Sequence, residues 1–400
     1  MWGRKQHLII GLLVLLIYWA NARWIKPTSG KFIGSASCAS CHKDIYDTHI
    51  KTAHYLDSRP AAAAFIKGSF DPGKNHFVYN QHMEVVMEKK KGRFFQTALF
   101  NGNILESEAF DIVIGSGRKG QTYLYWDGAR LFQLPVSYYT PLDSWCNSPG
   151  YPTNLIYYNK QTHGQCMECH STHVLAEEQE DKGTVFDKSS IIYGIDCERC
   201  HGPAADHVTF HQAHPGEKTG RYIINTRLLG RQQRLDACAL CHSGLRQPLK
   251  SPLTFVVGDT LDNYSTPAYS ADSVSSLDVH ANQYGLLTSS KCFQMTPQMD
   301  CSSCHNVHVT EVNTPELFSR RCMNCHNETA HNTCNFPPVN QWALYTNCID
   351  CHMPALPSRK ISLQLSDPDK QVRDLVRTHH VGIYPVSAKE YLEKLKIHYP

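Results

Sequence analysis

Cys197-Glu198-Arg199-Cys200-His201 is one of seven places where the chain sets two cysteines three apart and follows the second directly with histidine. The other six begin at Cys38, Cys166, Cys238, Cys301, Cys322 and Cys348. C-x-x-C-H is the attachment signature of c-type haem, in which two thiols add to the vinyl groups and the adjacent imidazole binds iron. The attaching cysteines are then Cys38 and Cys41, Cys166 and Cys169, Cys197 and Cys200, Cys238 and Cys241, Cys301 and Cys304, Cys322 and Cys325, and Cys348 and Cys351. The proximal iron ligands are His42, His170, His201, His242, His305, His326 and His352. Zinc sites and disulfide frameworks also use paired cysteines, but neither requires histidine after every second cysteine. With 23 histidines in 400 residues, seven such coincidences are not credible. The expected cofactors are seven c-type haems, and a chain carrying that many is built to move electrons. The motifs use fourteen of seventeen cysteines; Cys146, Cys292 and Cys334 are left with no assigned chemistry.

A length of 400 residues would ordinarily suggest two or three domains. Haems change that reading, because each macrocycle fills space that an apolar core would otherwise occupy. The formal charge is +3. Each ferric haem with its two propionates adds about −1, which takes the oxidised protein to about −4 and the reduced one to about −11. No nucleic-acid partner is expected of such a chain. Residues 1–22 read as an export signal: Arg4 and Lys5, an apolar run from Leu8 to Ala20, and Ala20-Asn21-Ala22 as a cleavage site. The alternative is an uncleaved membrane anchor with Tyr18, Trp19 and Trp24 at the interface. Either way the chain is exported, to the periplasm or to the outer face of the inner membrane.

Along the chain, residues 23–75 carry the first haem segment. Residues 76–145 are a β-rich insertion, with turn signals at Asn101-Gly102 and Asp127-Gly128. Gly115-Ser116-Gly117-Arg118-Lys119-Gly120 matches G-x-G-x-x-G but precedes a strand-like run, so it reads as a turn and not a nucleotide site. Residues 146–247 carry the second to fourth haems, 248–290 form a polar linker, and 291–360 carry the fifth to seventh. Residues 361–400 are a tail with a short helix, whose capping box is Ser387-Ala388-Lys389-Glu390.

Histidines outside the motifs are enough to fill every second axial position. His173, His207, His308 and His331 follow their own proximal histidines too closely to swing round the same haem, but they can reach a neighbouring one. His308 and His207 lead the candidates, followed by His54, His331 and His379, then His163, His173 and His280. His49, His76, His82, His211, His214, His380 and His398 are read as surface histidines or propionate partners.

Three strings resemble the cytochrome c-554-like multihaem family: C-A-S-C-H-K-D-I-Y-D-T-H-I-K-T-A-H from Cys38, Y-G-I-D-C-E-R-C-H-G-P-A-A-D-H from Tyr193, and S-S-K-C-F-Q-M-T-P-Q-M-D-C-S-S-C-H-N-V-H from Ser289. Similar segments occur in multihaem cytochromes fused to tetratricopeptide repeats. The resemblance implies electron transfer, with the histidines matching His54, His207 and His308 as distal ligands. No such repeat follows Cys348, which leaves the partner open. The expected fold is a mostly irregular and α-helical multihaem cytochrome c, with short helices around the haems and a small inserted antiparallel β segment. The expected function is electron transfer to redox protein partners, a quinol-oxidising membrane protein among them. The alternatives are a reductase of a small nitrogen or sulfur compound with one open haem, and a subunit of a haem filament or conduit. No catalytic residue is assigned.

Overall fold

Phe77 and Tyr79, Val85 and Met87, and Phe94, Gln96 and Ala98 are buried with the period of two that places side chains on one face of a strand. The computed structural model describes residues 30–268, 277–312, 314–327, 334, 345–366 and 370–398. A short β1 (Ser58–Pro60) precedes a four-stranded antiparallel meander of β2 (His76–Asn80), β3 (Met83–Lys90), β4 (Arg93–Phe100) and β5 (Asn103–Ala109). The chain continues into β6 (Ile112–Ile114), β7 (Gly120–Asp127), β8 (Arg130–Gln133), β9 (Val136–Tyr139) and β10 (Ser144–Asn147). These make a second sheet in the order β1-β6-β7-β9-β10, with β8 beside β7. The G-x-G-x-x-G stretch is the β6–β7 turn; Gly115 has φ +96°, and a Cβ there would stand 2.6 Å from the Gly120 carbonyl oxygen.

The two sheets share one core, in which Phe77, Met87 and Val85 meet Tyr123, Leu134 and Trp145. Each fully buried side chain of this size contributes roughly 1.5–3 kcal/mol. The buried polar groups are matched across it. The Gln96 amide on β4 donates to the Val136 carbonyl at 2.6 Å and accepts from its N–H at 3.0 Å. The Tyr125 hydroxyl donates to the Tyr158 carbonyl at 2.8 Å.

The remaining elements are small. The helices are α1 (Lys43–His49), α2 (Gly164–His170), α3 (Cys197–His201), α4 (Ala205–Ala213), α5 (Arg231–His242), α6 (Gln283–Thr288), α7 (Lys291–Gln294), α8 (Pro315–Met323), α9 (Ile349–His352) and α10 (Pro385–His398). Between them lie β11 (Ser171–His173), β12 (Ala176–Gln179), β13 (Gly183–Phe186), β14 (Ile192–Tyr193), β15 (Arg246–Pro248) and β16 (Ser265–Pro267), and near the end the hairpin β17 (Ala355–Gln364) and β18 (Gln371–Arg377).

This corrects the expected mostly irregular and α-helical fold with a small β insertion. Helix and strand take equal shares of the described residues, 28% each. A C-x-x-C-H motif needs only about one helical turn, so seven motifs generate little helix. The late hairpin escapes a reading of the sequence because Ala355–Gln364 shows no clean alternation of burial. The tail helix starts at Pro385, so Ser387 lies inside its first turn and not at its cap. The hairpin joins the sandwich: the Gln364 N–H donates to Asn147 Oδ1 at 2.7 Å, and Tyr139 donates to Asp374 at 2.8 Å. Residues 1–22 lie outside the described residues, among which no helix is long and apolar enough to cross a membrane.

Candidate functional site

Cysteines at i and i+3 and a histidine at i+4 share one face of a helical turn, and the motifs take that form. α2, α3 and α5 end on His170, His201 and His242. His42, His305, His326 and His352 each donate their N–H to the first cysteine's carbonyl at 2.9 to 3.0 Å. Buried acids fix these turns. Asp196 accepts from the Cys197 N–H at 2.8 Å and from the Ser35 N–H at 3.2 Å. Glu198, inside the third motif, accepts from the Gly34 N–H at 2.6 Å and the Ala204 N–H at 2.8 Å. Together they clamp the first motif's segment onto the third. Asp300 accepts from the Ser302 N–H at 2.9 Å and pairs with Arg234, which holds the fifth motif against α5.

All twenty-one motif cysteines and histidines line one connected cavity of about 4400 Å³. That is about 630 Å³ per motif, within the roughly 300–1,000 Å³ of a single-cofactor pocket. Among the described residues, no group of three or more His, Cys, Asp or Glu side chains is gathered to hold a metal ion. None of the seventeen cysteines is in a disulfide. Cysteines from different motifs interact in pairs: Cys38 with Cys197, Cys169 with Cys241, Cys238 with Cys301, and Cys322 with Cys348. Its neighbour Cys322 pulls the Cys348 thiol down to about 6.

Two imidazoles bound to one metal ion at about 2 Å stand about 6.3 Å apart between ring centres. Four motif histidines face a second imidazole at that separation. His42 faces His207 at 6.5 Å, His201 faces His308 at 6.3 Å, His242 faces His54 at 6.1 Å, and His305 faces His379 at 6.2 Å. Burial pushes His54 and His379 down to about 4, so both are neutral with a lone pair free for a metal. The partners come from other motifs' segments. His54 is placed by the turn after α1, where the Ile195 N–H donates to its carbonyl at 2.8 Å. Gly194 makes this approach possible: a Cβ there would lie 2.2 Å from the Tyr55 carbonyl oxygen.

Three sequence candidates are not brought to such a position. His163 is exposed at the start of α2, and His173 stacks on Phe32 at 4.2 Å; neither lines the cavity. His280 lines it, with Asp374 and Lys119 nearby, but faces no motif histidine. His331 lies outside the described residues. His49, read from sequence as a surface residue or propionate partner, is 6% exposed, lines the cavity and stands 6.1 Å from His308, with both ring nitrogens lacking a hydrogen-bond partner. Its place in D-T-H-I-K-T-A-H, five residues before His54, was the available signal.

Among the described residues, no imidazole stands opposite His170 or His352 at this separation. His170 differs at its back as well. Its Nδ1 lies 2.8 Å from Asp57 Oδ2, and the Ser58 hydroxyl donates to its carbonyl. Burial opposes a charge on His170, but Asp57, through its charge and the hydrogen bond, pushes the imidazole up. The Nδ1 of His201 and of His352 each meets a backbone carbonyl at 2.8 Å, from Ile224 and Gly382. The Nδ1 of His242 meets the Gln283 amide oxygen at 3.1 Å.

Residues 153–202, which hold the motifs at Cys166 and Cys197, match the family model of cytochrome c554 and c-prime. No curated protein matches the chain. Among solved structures, the outer cell wall cytochrome OcwA is similar in fold, with a TM-score of 0.55 at 16% identity over 90% of this chain and 81% of that one. The matched segment, the shared fold and the single cavity onto which every motif opens support a multihaem c-type cytochrome.

Proposed function

We propose that the protein is an exported heptahaem electron carrier that passes electrons through closely spaced haems held in one cavity. The observation that carries this reading is the exchange of imidazoles between motifs. His207 follows the third motif yet faces the first motif's histidine. His308 follows the fifth and faces the third's; His54 follows the first and faces the fourth's. A segment that holds one haem and caps its neighbour's iron keeps the two macrocycles adjacent, the arrangement electron transfer requires. The haems supply the redox change; the chain supplies ligation, burial and orientation. Similarity to an outer cell wall cytochrome supports export. A quinol-oxidising membrane protein is the proposed electron donor. Pyridine haemochrome analysis should return seven haems per chain, and electron paramagnetic resonance should show low-spin ferric signals for the haems of His42, His201, His242 and His305. Fewer haems, or high-spin iron at these four, would overturn the reading.

A second reading rests on His170. With no imidazole opposite it among the described residues and a carboxylate behind it, its haem would present an open iron to a small nitrogen or sulfur oxyanion. A high-spin ferric signal of one haem per chain, abolished by exogenous cyanide, would favour this reductase; uniformly low-spin iron would remove its site.

A further inference from the structure

We infer that Asp57 holds the haem carried by His170 at a lower reduction potential than it would otherwise have, making this haem electrochemically distinct from its neighbours. A ligating histidine that gives its second N–H to a carboxylate becomes a more basic ligand, and a more basic ligand favours ferric over ferrous iron. His170 makes that bond, at 2.8 Å. His201, His242 and His352 give theirs to neutral oxygens. His305 has a carboxylate nearby, but Glu311 is 3.7 Å away and is taken by Arg321 and by the Asn306 N–H at 3.2 Å.

Among the described residues, no lysine or arginine forms an ion pair with Asp57, although Arg59 lies within its electrostatic reach. Ser58 fixes His170 from the other end, accepting the Gly194 N–H at 2.9 Å while it donates to the His170 carbonyl. The segment therefore has two outputs. His54 faces His242 at 6.1 Å, and three residues on Asp57 backs His170. Between the same two motifs, Cys169 Sγ donates to the Leu240 carbonyl at 3.8 Å, next to Cys241 in the chain. One short stretch thus adjusts two neighbouring haems in different ways, one by an axial position and one by charge behind the ligand.

The inference rests on haem attachment at Cys166 and Cys169, and the experiment separates the two. Asp57→Asn keeps an acceptor of the same shape and removes only the charge. In a spectroelectrochemical titration of the holoprotein, one haem should move to higher potential by at least a tenfold change in its oxidised-to-reduced ratio, about 59 mV for one electron. The other haems should stay in place, and Asp57→Glu should restore the original value. Resonance Raman of the reduced protein should show one iron–imidazole stretch falling in the Asn variant, a change that loss of packing alone would not produce. Unmoved potentials, a uniform shift of all haems, or Glu behaving as Asn would overturn the role of Asp57. Peptide mass analysis lacking haem on Cys166 and Cys169 would overturn the underlying attachment instead.

Discussion

The sandwich and the motif-lined cavity are two solutions to filling an interior. In the sandwich, Phe77, Met87, Tyr123 and Leu134 are fully buried against one another, and the chain supplies its own core. Around the cavity the helices are mostly short, and about 4400 Å³ of internal space is lined by thiols and imidazoles. The first region is stabilised by apolar burial within the chain. The second has an interior proportioned to its cofactors, and its turns are held by buried acids such as Asp196, Glu198 and Asp300. The comparison teaches that the strands carry a core of their own, against which the other segments are set through Asn147–Gln364, Tyr139–Asp374 and the pairing of β1 with β6.

The harshest test withholds haem altogether. Expressed where attachment cannot occur, the chain should lose protection across the motif segments while residues 76–147 resist trypsin, read by mass spectrometry of the fragments. Loss of both regions together would break the distinction. A core substitution probes the opposite side. Phe77→Ala should cost the sandwich about 3–5 kcal/mol in a denaturant melt, yet leave the haem count of the secreted protein at seven. Axial substitutions sharpen the cavity half. His207→Ala should convert one low-spin haem to high spin by electron paramagnetic resonance, whereas His163→Ala should change no haem signal. The smallest expected effect tests the hydrogen bonds behind the ligands. Gln283→Glu puts a carboxylate behind His242 and should lower that haem's potential by about a tenfold change in its oxidised-to-reduced ratio, about 59 mV.

Strands around Met83–Lys90, Arg93–Phe100, Ile112–Ile114 and Gly120–Asp127 are legible in the sequence because β-favouring runs bounded by turn residues are a local pattern. β5 is less so: it is an edge strand, exposed from Asn103 to Ser107, with no apolar face to read. The late hairpin is invisible for a different reason. Its apolar residues Leu363 and Leu365 are buried against Tyr139 and Cys146, more than two hundred residues earlier in the chain, which no local window detects.

The sequence by itself determined the cofactor chemistry, because two thiols and an imidazole at fixed spacing on one helical turn are a local arrangement. It also marked His54, His207, His308 and His379 as candidates, and placed His163, His173 and His280 behind them. Only the tertiary structure decided which imidazole faces which motif, that His163 and His173 stay outside the cavity, and that Asp57 backs His170. Those relations join segments far apart in the chain, and they are set by how the turns are clamped to one another and to the sandwich. Spacing along a chain fixes what a group can bond within one turn; packing fixes what stands opposite it.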